Sequence, residues 1–311
     1  MTAAMPLLDE IRAATAWVAR RARHVRVDEG AIPQYAAAIP PGGGEAALDP
    51  DAHLLSGTRE ERAAFFLTLD AINFGSGWFP TLRKPEGRSG YFTIATGLRK
   101  RFAAHGPWSA AELAATTPEE IATAVGQDPE HELMELFAAS LRDLGSRVAA
   151  DHGGRFVSVV DAADGSAEAL VEELSRWPCF ADLSCYEGRR VPFFKRAQIA
   201  AADLALGGVA DFGDLARLTL FADNLIPHVL RLDGVLRFEP ELAARIDAGE
   251  LIEHGSPAEV EMRAGAVRVA ELICRERPDL TARAVDQILW NRGAGPQYKA
   301  IPRPRSRTTA Y

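Results

Sequence analysis

DPEHELMELFAASLRDLGSRVAADHGG, residues 128–154, decides the fold class. Leu133, Leu136, Phe137, Leu141, Leu144 and Val148 recur at the three- and four-residue spacings that place side chains on one face of an α-helix. Asp128-Pro129 offers a cap and a first-turn proline, so the helix is predicted to start there, and Gly153-Gly154 to stop it. Outward from this stretch the same grammar repeats. Ser109-Ala110-Ala111-Glu112 and Thr117-Pro118-Glu119-Glu120 each set a glutamate three residues after a hydroxyl, the spacing of a capping box. Ser256-Pro257-Ala258-Glu259 predicts another helix, running to about Arg277 before Pro278, with Val260, Ala264, Val267, Leu272 and Ile273 on its buried side. Residues 167–177, 195–206, 214–223 and 240–247 also read as helices. Strand signals are few. Tyr91-Phe92-Thr93-Ile94 follows a glycine-rich turn and reads as one arm of a hairpin, while residues 156–160 fit strand or helix equally. The expectation is a mainly α chain with at most a small β-hairpin. Residues 40–51 form a loop rich in Gly and Pro, and no repeat or long linker interrupts the chain. One α-rich domain over residues 1–311 is expected, with two lobes meeting near residues 153–165 as the variant reading.

Composition narrows the function classes. The chain has 311 residues, 47% hydrophobic and 25% charged, which suits a globular protein with a large core. Its formal net charge of -8 argues against a broad nucleic-acid footprint, because phosphate neutralisation supplies most of that affinity. A small anion held by a few local cations remains compatible. Cys179, Cys185 and Cys274 cannot all pair and show no CxxC spacing, so reduced thiols in a cytoplasmic protein are expected. Asp9 and Glu10 come early and no apolar stretch precedes them, which argues against a signal peptide. The most apolar run, residues 199–210, contains Asp203 and is far short of a membrane span. The histidines lack HxxxH and HExxH spacing, so no metal is expected. GxGxxG, Walker A and GxSxG patterns are absent, which disfavours dinucleotide, NTPase and α/β-hydrolase chemistry.

Three stretches carry candidate chemistry. In residues 220–230 a helical pattern runs into Asp223, and Pro227 then breaks it, since a proline ring clashes with the carbonyl four residues back. Asp223 at this joint either caps the following helix or projects a carboxylate into a cleft. In residues 187–198 a turn leads through Phe193-Phe194 into a basic helix start. Arg189, Arg190, Lys195 and Arg196 form either a solvated basic face or a phosphate site at a helix N-terminus. In residues 70–79, Asn73, Phe74 and Trp78 beside Gly75 and Gly77 form either a core segment ending in a loop or a sandwich for a flat base. Glu261 and Arg263 sit inside a helix otherwise suited to burial, and Asp286 and Trp290 lie four apart on one helical face.

Taken in order along the chain, these blocks resemble one family, the queuosine salvage proteins (queuosine 5′-phosphate N-glycosylase/hydrolases). The resemblance runs from about residue 24 to residue 311. It is carried by Asp70-Ala71-Ile72-Asn73-Phe74, Ser89-Gly90-Tyr91-Phe92, Glu187-Gly188-Arg189-Arg190-Val191 through Phe194-Lys195-Arg196-Ala197-Gln198-Ile199, Phe221-Ala222-Asp223 with Pro227, Glu259-Val260-Glu261-Met262-Arg263, Leu289-Trp290, and Ile301-Pro302 with Arg307 and Tyr311. Here the tail reads Arg303-Pro304-Arg305-Ser306-Arg307, where the family has more aromatic and His character.

The resemblance implies a helical fold related to helix–hairpin–helix DNA glycosylases. It also implies release of queuine from a free nucleotide or nucleoside, without a cofactor, a stable nucleic-acid partner or a membrane, by a chain expected to be monomeric. It places the catalytic carboxylate at Asp223 and the motif lysine at Lys195. On this basis Asp223 is expected to stabilise an oxocarbenium-like ribose, activate water, or attack. Lys195, with Arg196, is expected to bind the 5′-phosphate. Asn73, Phe74, Glu261, Asp286 and Trp290 are expected to hold the base. A nucleic-acid base glycosylase and a non-catalytic nucleotide-binding module are the rival classes.

Overall fold

The structure, a computed structural model, describes residues 5–40, 44 and 46–311. Positions 41–43 and 45 of the expected Gly- and Pro-rich loop lie outside the described residues. The chain is mainly α, as expected, with strands confined to two small antiparallel pairs among the described residues. It forms two compact units. One comprises Met1–Ala46, Asp182–Lys195 and Ala216–Thr308, and the other Ala47–Ala181, Arg196–Leu215 and Thr309–Tyr311. Residues 153–165 lie wholly within the second unit.

The first unit is organised by helix Pro257–Glu276. Ser256 accepts a hydrogen bond from the Glu259 amide at its start, and buried side chains line most of its length. Around it pack helices Leu7–Ala19, Ile32–Ala37, Leu225–Leu232 and Ala282–Gly293. A short strand pair also packs there, with Val25 opposite Phe238 and Val27 opposite Leu236. Their shared core includes Leu230, Val235, Val260, Val267, Val285 and Leu289. Burial of this apolar face is what makes short helices stable.

A hairpin of Leu183–Tyr186 and Arg189–Pro192 completes the unit. Its two-residue turn, Glu187-Gly188, has φ of +46° and +76°. Left-handed angles at both positions match the twist of the flanking strands. The expected turn is therefore present, but it lies between strands.

The second unit is built on helix Glu132–His152. Its start differs from expectation. Residues 128–131 turn, and the His131 ring caps Leu133 instead. Helices Ala110–Ala115, Pro118–Val125, Arg59–Ala71 and Phe156–Asp161 pack on it. Gly145 lets the first of these approach closely, since a Cβ there would meet the backbone of Ala110 and Ala114. Both expected capping boxes, at Ser109 and Thr117, are formed.

Two local expectations are corrected. Residues 91–94 are not a hairpin arm. Ser89 caps Phe92, and the segment opens helix Gly90–His105. Residues 214–223 are not a helix beyond a single turn at Leu215–Arg217. From Leu220 to Asp223 burial alternates, with Leu220 and Ala222 inside, which is the period of an extended chain, and Asn224 then takes helical angles. No helix among the described residues is long and apolar enough to cross a membrane.

Candidate active site

Asp223 ends the extended segment and begins helix Leu225–Leu232. The first amides of a helix have no partner inside it. Here the Leu225 and Ile226 amides both donate to Asp223 Oδ1, at 2.8 and 3.1 Å. The next position is Pro227, which has no N–H to satisfy. Proline therefore sits inside the first turn and does not break an earlier helix, which corrects the expectation. The capping reading of Asp223 is met by one oxygen. Among the described residues, no donor is bonded to Oδ2, and the side chain is only half-buried.

The backbone ahead of Asp223 is tied down by side chains from two helices. The Phe221 amide donates to Asp286 Oδ1 at 3.0 Å, and Arg263 Nε donates to the Ala222 carbonyl at 2.9 Å. Asp286, on helix Ala282–Gly293, is buried. Its pKa is pushed well above the usual carboxylate range, first by burial and then by the charge of Asp223, with Lys195 opposing. Asp223, Asp286 and Lys195 thus share one electrostatic neighbourhood within the first unit.

Lys195 is placed by an unusual piece of backbone. Phe194 adopts φ of +48°, a left-handed angle that costs a branched or bulky residue about 1–2 kcal/mol. That bend turns the chain from the hairpin into helix Lys195–Leu206. Three consecutive amides converge on Asp182. Phe193 and Phe194 donate to its carbonyl at 3.1 and 3.4 Å, and Lys195 donates to Oδ2 at 3.0 Å. The Asp182 carboxylate in turn receives Arg263 in a two-pronged contact of 2.9 and 2.6 Å. The Arg263 guanidinium also lies 4.0 Å over the Phe193 ring. One buried arginine therefore holds both the carbonyl before Asp223 and the carboxylate that orients the Lys195 amide.

The other expected residues fall into distinct environments. Glu261 is buried and saturated. Its Oε2 accepts from the Arg23, His24 and Val25 amides, and its Oε1 from the Tyr186 hydroxyl. Trp290 is partly buried against the first unit's core. Arg196, Asn73 and Phe74 belong to the second unit. Arg196 is fully buried; its guanidinium donates to the Ala71 and Ala310 carbonyls and lies 5.0 Å over the Phe74 ring. Phe74 itself packs edge-on against Phe137. Asn73 Nδ2 donates to Asp70 Oδ1 at 3.4 Å.

Asp182 carried no signal of its own in the sequence. The clue was its partner, a charged Arg263 on the buried stripe of a helix. A cavity of about 820 Å³ in the second unit, lined in part by Arg88, Lys100, Arg101 and Trp108, includes none of the expected site residues. Among the described residues, no group of three or more His, Cys, Asp or Glu is placed to hold a metal ion.

Comparison with known proteins agrees with the blocks read from the sequence. A family model described as queuosine salvage protein matches residues 53–311. A Sphaerobacter thermophilus protein named queuosine 5′-phosphate N-glycosylase/hydrolase is 35% identical over 313 residues, covering 94% of this chain and 95% of its own. Proteins of the same name from Dictyostelium discoideum and Bos taurus are 31% and 32% identical, covering 81% and 60% of this chain and 79% and 57% of theirs. The match runs through both compact units and nearly the full length of a relative, so the chain belongs to the queuosine salvage protein family.

Proposed function

We propose that this chain is an N-glycosyl hydrolase that cleaves queuosine 5′-monophosphate, and queuosine itself, releasing queuine for salvage into tRNA modification. The relatives' name supports the reaction class. The single observation that carries the site is Asp223. Its Oδ1 is immobilised by two helix amides, while no described residue donates to Oδ2.

Hydrolysis of an N-glycoside passes through a ribose with positive character at C1′. A fixed carboxylate oxygen facing C1′ stabilises that charge without reorganising at the moment of reaction. The leaving base makes this demand severe. In a 7-deazapurine, carbon replaces N7, so the usual protonation site on the leaving group is missing. More of the barrier must then be lowered on the sugar side, where Asp223 acts. Asp286, pushed up by burial and by the charge of Asp223, is biased toward its protonated form, and in that form it offers a hydrogen bond to a polar edge of the base. Lys195 supplies a cation to the 5′-phosphate. Asn73, Phe74 and Trp290 are assigned to the base. Glu261, whose oxygens are engaged by neighbours, is assigned to supporting the first unit's part of the site, and Arg196, engaged by the Ala71 and Ala310 carbonyls, to the interior of the second unit.

Both units are taken as one salvage domain, acting in the cytoplasm as a monomer. The relation to helix–hairpin–helix glycosylases rests on the family resemblance and on Asp223 standing just ahead of a short helix. The test is incubation with queuosine 5′-monophosphate, followed by chromatography for free queuine. Release should persist with chelator present. Ligand binding without base release would instead establish a nucleotide-binding module.

A further inference from the structure

A phosphate monoester at neutral pH carries about -1.5 to -2 charges. Lys195 contributes a single cation, and its field is already shared with Asp286. The phosphate end of a nucleotide substrate therefore needs further cations, and the tail of the first unit supplies Arg303, in the field of Asp223, with Arg305 beside it.

Residues 303–308 run as an extended segment in which Pro304, Ser306 and Thr308 are buried while Arg303 and Arg305 are half-buried. In an extended chain, side chains two apart share a face. Arg303 and Arg305 therefore project together, opposite the buried set. The segment is pinned, since the Ile252 amide donates to the Arg305 carbonyl at 2.8 Å.

Among the described residues, neither guanidinium has a partner. The Nε atoms of Arg303 and Arg305 are buried, and no described residue accepts from or pairs with either side chain. A buried donor left unmade costs free energy, so such groups call for a partner. Arg303 lies in the electrostatic field of Asp223 and of His228, both at helix Leu225–Leu232. His228 is itself buried, and its Nδ1 is likewise unpartnered. Two like charges held side by side with no carboxylate bonded to either repel each other, which an arriving dianion would reverse.

We propose that Arg303 and Arg305 form a guanidinium clamp for the phosphate monoester of the substrate, joining Lys195 around Asp223. This rests on the nucleotide reading above. A planar guanidinium matches two phosphate oxygens at once, so the clamp fixes orientation as well as charge.

The test is steady-state hydrolysis of queuosine 5′-monophosphate and of queuosine by Arg303→Gln, Arg305→Gln and the double variant. Each single change should lower kcat/KM for the nucleotide about 10–100-fold, the range for a lost charged hydrogen bond, and leave the nucleoside nearly unchanged. Inorganic phosphate should compete with the nucleotide in the wild type and lose that effect in the double variant. Equal loss on both substrates, or an unchanged nucleotide-to-nucleoside ratio, overturns the clamp. If the double variant fails to fold, the two single variants and the phosphate-dependent rise in Tm of the wild type carry the test. No such rise also overturns it. Absence of queuine from either substrate with the wild type overturns the hydrolase reading instead. Calorimetric titration of inorganic phosphate into wild type and variants still decides the clamp in that case.

Discussion

Arg263→Met is the perturbation that most directly tests how the site is held. Methionine has similar length but no guanidinium, so packing is largely kept while the bonds to Asp182 and the Ala222 carbonyl, the contact with the Phe193 ring and the ion pair with Glu259 are lost. Arg263 is 1% exposed, and the Asp182 side chain it grips is 0% exposed. Removing one partner of such a pair leaves an uncompensated buried charge, which costs about 3–5 kcal/mol. The Ala222 carbonyl also loses its partner, with a cost on the order of 1–3 kcal/mol for an unmet buried group. These losses share one side chain and do not add, so the expected total is about 3–5 kcal/mol. Urea unfolding should show it as a lower midpoint with an unchanged slope. Adding Asp182→Asn should restore at least about 1 kcal/mol, because the stranded charge is then gone while an amide oxygen can still accept from the Lys195 amide. Under conditions where the variant stays folded, kcat should still fall by at least about tenfold, since Asp223 follows the freed carbonyl and misplacement by 1 Å is costly. A loss under about 1 kcal/mol, or no rescue by the second change, refutes the clamp as the organiser of this site.

Other predictions concern the reacting groups. Asp223→Asn keeps an oxygen that can accept from the Leu225 and Ile226 amides, so Tm should hold while kcat falls roughly 10²–10³-fold; near-wild-type turnover by the folded variant removes Asp223 from catalysis. Lys195→Ala should reduce kcat/KM for the nucleotide more than for the nucleoside, and equal loss removes its phosphate role. Asp286 has a raised native pKa, so between the unfolded carboxyl range and that value the native state keeps a proton that the unfolded chain releases. Its contribution to stability therefore falls as pH rises through this window. Asp286→Asn should flatten that slope and raise stability at neutral pH relative to wild type. An unchanged pH–stability curve rejects the assignment.

Local signals in the sequence were decisive where the structure is itself local. The caps at Ser109, Thr117 and Ser256 lie within three residues of the amides they serve, and all are formed. Helices Lys195–Leu206 and Pro240–Asp247 have the expected bounds for the same reason. Failures came where remote groups satisfy the backbone. Residues 214–223 carry a helical pattern, but the Phe221 amide and Ala222 carbonyl are met by Asp286 and Arg263, 65 and 41 residues away. An extended path needs no helix bonds once those partners exist. The pairing of Val25–Val27 with Leu236–Phe238 is equally distant and left no local trace. The family blocks single out Asp223 and Lys195 as candidates, and in the structure both act electrostatically on Asp286. Glu261 is expected to hold the base because a carboxylate can accept from a guanine-like edge; the structure shows it accepting from three amides and a tyrosine hydroxyl, partners 75 to 238 residues away that leave no local trace.

The segmented make-up of the two units gives the chain an order of assembly. A ribosome that has added residue 215 has already made all of the second unit except Thr309–Tyr311. The first unit then has its opening strand and hairpin but lacks everything from Ala216 onward, including Asp223, Arg263 and Asp286. Glu261, when it emerges, must capture amides at positions 23–25 that were synthesised more than two hundred residues earlier. Until then Asp182 has no guanidinium to neutralise it, and the hairpin has helix Leu7–Ala19 but not helix Pro257–Glu276 to pack on. Nascent chains halted near residue 215 should thus protect the second unit from protease while leaving the segments around residues 25 and 185 open to cleavage.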